Sequence, residues 1–168
     1  MGAGRMTSDG ESGLGRTAET GDHFASAGQT PLIAAMDDWY SCLVRRHELA
    51  EEMAEELRVC LHELIGNAIL YGGLAEDQLR ISITAAVTVE DVTLVVEDNA
   101  RPFNPLALPV ESLATSLEDA RIGGLGLRLV RSFTDHLAYD FDRGGNRMTL
   151  RRCLPTPPSP SPRPGASL

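Results

Sequence analysis

Residues 61–98 read LHELIGNAILYGGLAEDQLRISITAAVTVEDVTLVVED, and within them the hydrophobic period changes once, from that of a helix to that of a strand. Met53, Leu57, Leu61, Leu64 and Ala68 recur at three- and four-residue spacing, which marks one buried face. The spacing predicts a helix over residues 50–71, stopped by Gly72 and Gly73. Beyond the glycines, Ile81, Ile83, Ala85, Val87 and Val89 alternate with Arg80, Ser82, Thr84, Ala86 and Thr88, as in a half-buried strand. A charged turn at Glu90 and Asp91 leads to Val92, Leu94 and Val96, alternating again and ending at Asp98. Working outward, Pro31 suits the first turn of a helix reaching residue 46, with Thr30 as its candidate N-cap. A short strand is expected over 23–27 and a third helix over 124–135. Two closing strands carry Leu137, Tyr139 and Phe141, then Met148 and Leu150, across the turn RGGN at 143–146. Strands with one apolar face and helices with one apolar stripe bury each other. The expectation is a two-layer α/β sandwich, a mixed sheet covered on one face by helices.

The chain has 168 residues, about one domain's worth. Residues 1–21 are rich in Gly, Ser, Thr and charge and are expected to stay disordered. From 154 to 168 the sequence is Pro-rich, with PTPPSPSPRP at 155–164, and reads as an extended tail, solvated or docked by a partner. The expected folded unit is 22–153. A net charge of −9 argues against a nucleic-acid surface. All 15 basic residues are arginine. The absence of lysine excludes a P-loop, the lysine-dependent eukaryotic-type protein kinase and Schiff-base catalysis by a side chain. Cys42, Cys60 and Cys153 form neither a C-x-x-C motif nor an even framework, so they are expected to be reduced thiols of a cytoplasmic protein. No apolar run is long enough for a membrane span, and no signal peptide is evident.

Three constellations could carry chemistry. Glu63 and Asn67 stand four residues apart, one turn along a helix face. A carboxylate can act as general base and an amide oxygen can ligate a hard cation, although a solvated polar stripe gives the same pattern. A zinc-protease helix is excluded, because H-E-x-x-H fails at Gly66. Asp98 shares the parity of Val92, Leu94 and Val96, so its carboxylate points to the apolar side and needs a partner. A salt bridge, a loop cap and the exocyclic amine of a purine all satisfy that need. Residues 121–126 read RIGGLG ahead of a helix, where backbone N–H groups can meet a phosphate. The same glycines also suit an ordinary turn, and they are not a Rossmann fingerprint.

Their order resembles the GHKL ATPase superfamily (Bergerat fold), and within it the bacterial anti-sigma factor serine/threonine kinases. The resemblance spans about residues 22–152. It rests on LHELIGNAILYG at 61–72, DNARPFNP at 98–105, GGLGLRLVRSFTD at 123–135 and GNRMTL at 145–150. It implies ATP between the second helix and the segment after Asp98, with Mg²⁺ on Asn67. Asp98 would read the adenine amine, while Gly123, Gly124 and Gly126 wrap the phosphates and Phe103 and Asn146 complete the nucleotide-binding set. Glu63 would be the general base. Arg121 is the candidate cation for the γ-phosphoryl group, unless it only pairs with Glu118. The implied partners are a sigma factor, an anti-sigma factor antagonist phosphorylated on Ser or Thr, and a second copy in a homodimer, with no direct nucleic acid and no membrane. Two departures stand out. Ala100 replaces the glycine of the family's D-x-G, and Asn146 replaces a frequent threonine near the closing strand.

Two other functions fit parts of the pattern. A non-catalytic, ATP-dependent module that sequesters a regulator has no use for Glu63. A stand-alone histidine-kinase-type catalytic domain lacks an upstream phosphoacceptor helix pair, and His47 reads as a helix-end residue. Deleting residues 155–168 should leave ATP affinity unchanged in calorimetry, because the tail holds no core-forming residues. A marked loss would move the domain boundary.

Overall fold

The computed structural model describes residues 22–27, 31–75, 77–107, 124–142 and 144–155. Its elements are β1 (Asp22–Ala27), α1 (Leu32–His47), α2 (Glu51–Tyr71), β2 (Arg80–Val87), β3 (Asp91–Asp98), a 3₁₀ turn at Pro105–Ala107, α3 (Gly124–Ser132), β4 (His136–Asp142) and β5 (Gly145–Cys153). Five strands form one sheet in the order β1-β2-β3-β5-β4. Every neighbouring pair is antiparallel, so among the described residues the sheet is antiparallel throughout rather than mixed. Short connections explain this: hairpins join β2 to β3 and β4 to β5, and hairpin partners run in opposite directions.

One sheet face is apolar. Ile81, Ile83 and Ala85 of β2, Val92, Leu94 and Val96 of β3, and Met148 and Leu150 of β5 are all buried. They share a core with Met36, Tyr40 and Leu43 of α1 and with Leu57, Leu61 and Ile65 of α2. The strand alternation sets this up, since a period of two sends every second side chain to the helices. The opposite face carries polar pairs, such as Ser82 donating to Glu97 and Arg147 bonded to Glu97. Polar contacts tie the two long helices together. The Tyr40 hydroxyl donates to the Ala54 carbonyl oxygen at 2.9 Å inside the core, and burial pushes its pKa up. Arg58 lies over the Tyr40 ring and pairs with Asp37. His62 also bonds Asp37, at 2.8 Å, so it serves the α1–α2 contact.

Several boundaries differ from the sequence reading. Pro31 is itself the N-cap of α1 and no side chain caps that end, while Thr30 lies outside the described residues. Val89 is 91% exposed and not in β2. The Thr88 hydroxyl accepts from the backbone N–H groups of Glu90 and Asp91, closing the hairpin before the alternation can continue. The third helix stops at Ser132, because Asp135 is drawn into the sheet by bonds with Arg151 and Cys153. At the end of β5, Leu154 still packs on the core. On α2, Cys60 and Ile65 are fully buried, whereas Leu64 and Ala68 are only partly so. Between the last turns of α2 and the sheet lies a cleft. Among the described residues, no helix is long and apolar enough to cross a membrane.

Tyr40→Phe should keep the fold but lose about 1 kcal/mol, because the Ala54 carbonyl keeps its bond within α2 and loses only its second partner. Denaturant unfolding checks this, with the midpoint lowered and the slope unchanged.

Candidate nucleotide site

The cleft lies between the end of α2 and the chain leaving β3. Leu64, Asn67, Ala68 and Tyr71 form one side, Asp98, Ala100, Arg101 and Phe103 the other, and Asn146 and Met148 of β5 its base with Tyr139 of β4. Its volume is about 50 Å³. The walls of the cleft differ. Arg101 and Phe103 are exposed and can yield. The wall formed by Asp98 and Asn146 cannot, because it is tied down by hydrogen bonds.

Asp98 ends β3 opposite Asn146 of β5. Its Oδ1 accepts from the backbone N–H of Ala100 at 2.9 Å and from Asn146 Nδ2 at 2.7 Å. Oδ2 has no hydrogen-bond partner among the described residues, which leaves it as a free acceptor on a cleft-lining residue. Asn146 is buried at 8% exposure, and its amide is fully engaged. Besides Asp98, Nδ2 reaches the carbonyl oxygens of Ala100 at 3.2 Å and Arg101 at 3.1 Å. Oδ1 accepts from the Phe103 N–H at 3.1 Å and the Tyr139 hydroxyl at 2.7 Å. Burial raises the Tyr139 pKa, with the Phe103 backbone bond opposing the rise and the Asp98 and Asp140 charges adding to it. Sequence reasoning missed Tyr139 as a cleft residue. Its parity on β4 was readable, but its partner across the hairpin became evident only in the fold.

The methyl of Ala100 is buried and packs towards Gly72. A Cβ on Gly72 would lie 2.7 Å from the Ala100 Cβ, so the bare glycine is what admits the alanine. The Arg101 N–H donates to the Gly72 carbonyl at 3.0 Å, stitching the post-β3 chain to the end of α2. Among the described residues, Arg101 is the cation that lines the cleft.

Asn67 lines the cleft, and its Nδ2 is buried without a hydrogen-bond partner among the described residues. Glu63, one turn earlier, lies beside the cleft rather than in its lining. Its carboxylate has no hydrogen bond or ion pair among the described residues and rests against Gly126 of α3. Glu56, on the same helix, is instead committed to Arg152 at 3.1 Å. The fold thus gathers Asn67, Asp98, Phe103 and Asn146 around one cleft and sets Glu63 and Gly126 side by side next to it. Gly124 is the first residue of α3, while Arg121 and Gly123 lie outside the described residues.

A helix-side amide, a free carboxylate oxygen at a strand end and an apolar floor can hold a flat, amine-bearing base with its polar tail towards α3. Comparison with known proteins agrees in kind. The model of the histidine kinase-like ATPase domain family matches residues 26–152. The serine/threonine-protein kinase BtrW of Bordetella bronchiseptica is 30% identical over 112 residues, which cover 67% of this chain and 79% of that protein. An anti-sigma F factor of Clostridium perfringens is 24% identical over 106 residues, covering 62% and 76%. The serine-protein kinase RsbW of Listeria monocytogenes is 26% identical over 108 residues, covering 62% and 69%. With the family model matching residues 26–152, this chain belongs to the histidine kinase-like ATPase domain family of the GHKL superfamily, and the relatives it resembles are named as serine/threonine-protein kinases and anti-sigma factors.

Proposed function

We propose that this protein binds ATP, phosphorylates a serine or threonine of an anti-sigma factor antagonist, and holds a sigma factor once phosphorylation has removed that competitor. It would act as a homodimer in the cytoplasm. The observation that carries the kinase reading is Glu63. A carboxylate with no polar partner among the described residues sits one helical turn from a cleft-lining amide, and a module that only binds ATP has no need of it.

In this reading the purine amine donates to Asp98 Oδ2, and the triphosphate runs past Asn67 towards the start of α3. The residues present fit a magnesium site of the kind that keeps several waters and takes one or two protein ligands plus phosphates. Among the described residues no hydrogen bond holds the Asn67 amide, whose Nδ2 is buried and unpaired, so its Oδ1 would be open to a cation. Among the described residues, no group of three His, Cys, Asp or Glu forms a protein-built cage. A bound Mg²⁺ would neutralise charge on the triphosphate. For transfer, the substrate hydroxyl oxygen attacks the γ-phosphorus and a new O–P bond forms. The bond to the β–γ bridging oxygen breaks, ADP leaves with that electron pair, and the hydroxyl proton passes to a Glu63 oxygen.

Asp98→Asn should weaken ATP binding at least tenfold, roughly 1.4 kcal/mol, in calorimetry. The fold should persist, since an amide oxygen still accepts from Ala100 and Asn146 while the new NH₂ opposes the base amine. Equal affinity in the folded variant would remove Asp98 from the site. Glu63→Gln should keep ATP affinity while phosphoryl transfer from labelled ATP to a candidate antagonist falls ~10²–10⁴-fold. Asn67→Ala should lose Mg²⁺-dependent ATP affinity as well as transfer. Undiminished transfer in Glu63→Gln rules out the base. A wild-type protein that binds ATP and sigma factor but transfers no phosphate is a binding module.

A further inference from the structure

Gly126 is a glycine for a reason the backbone does not supply. It is the third residue of α3, well inside a helix, where glycine is less favourable than alanine. Its φ is not positive, so no left-handed turn calls for it. What does call for it is one side chain. The three heavy atoms nearest to a Cβ built on Gly126 are all from Glu63, namely Oε2, Cδ and Cγ, with the last at 2.9 Å. The position is buried, so the carboxylate end of Glu63 occupies the volume a side chain would fill. By contrast, a Cβ on Gly66 of α2 would meet nothing within 4 Å.

We infer that Gly126 is a positioning residue for Glu63: its missing side chain is the seat that fixes the carboxylate beside the cleft. Glu63 has no hydrogen bond or ion pair among the described residues, so a flexible side chain is held in one place by shape alone. The helix bearing the seat packs on α2, and its neighbours Leu127 and Val130 are buried, Leu127 in the cleft wall. The backbone of α3 thereby sets where a proton acceptor on α2 can stand. This differs from the phosphate-wrapping role implied for Gly126 by family resemblance, and it rests on Glu63 being the base in phosphoryl transfer.

The test is a double-variant cycle on the full chain, read by calorimetry with ATP and by slow hydrolysis of labelled ATP, in which water replaces the substrate hydroxyl. Gly126→Ala should leave ATP Kd and KM within about threefold and lower kcat at least about tenfold. Adding Gly126→Ala to Glu63→Gln should lower the rate no further, since the two changes remove one function. A raised ATP Kd in Gly126→Ala, or a further loss in the double variant, would assign Gly126 to the phosphates and overturn the inference. If Gly126→Ala fails to fold, Gly126→Ala with Glu63→Ala must fold, because the atoms in conflict are those of Glu63. Failure of that double variant also overturns it. An unchanged rate in Glu63→Gln alone rejects the base, and the unfolding midpoints of the Glu63→Ala cycle then decide the contact by themselves. Non-additive midpoints support the seat, and additive ones refute it.

Discussion

The side chain of Asn146, buried where β5 passes β3, donates to the Asp98 carboxylate and to the carbonyls of Ala100 and Arg101, and accepts from the Phe103 N–H and the Tyr139 hydroxyl. One amide thus joins two strand ends, a hairpin partner and the chain leaving the sheet. A buried amide is stable only when its polar atoms are paired, and here the pairing shapes the cleft. With Oδ1 of Asp98 held by Ala100 and Asn146, the carboxylate keeps one orientation and its second oxygen stays free.

α2 serves two surfaces at once. Leu57, Leu61 and Ile65 bury themselves against the sheet, while Leu64, Asn67 and Ala68 look into the cleft from the same helix. The last turns of this 21-residue helix wall a pocket floored by Ile81, Val96 and Met148 of the sheet's apolar face. Two glycines then let backbones and side chains approach closely at that end. Gly72 admits the methyl of Ala100, and Gly126 admits the carboxylate of Glu63.

Charge is arranged with economy in a chain of net charge −9 whose cations are all arginine. Arg46, Arg58, Arg147 and Arg152 pair with Asp22, Asp37, Glu97 and Glu56 and bind elements to one another. Arg101 lines the exposed side of the cleft, whose other polar side chains are Asn67, Asp98, Asn146 and the tyrosines Tyr71 and Tyr139.

Much of this was legible in the order of residues. The switch of period between 61 and 98 set the helix, the hairpin and the buried parity of Asp98, because side-chain direction follows from local geometry alone. The spacing of Glu63 and Asn67 placed them on one helix face for the same reason. Strand direction was not legible, since pairing is decided by connections and by what packs on the sheet rather than by any one strand. Nor could the sequence show that Asn146 would spend its amide on residues 98–103, that Gly72 would make room for Ala100, or that Gly126 would make room for Glu63. Glu63 and Gly126 lie 63 positions apart in the chain and touch only because α3 folds back onto α2. Periodicity reports which way a side chain points. What it points at is settled by the packing of elements distant in sequence, and that packing exists only in the tertiary structure.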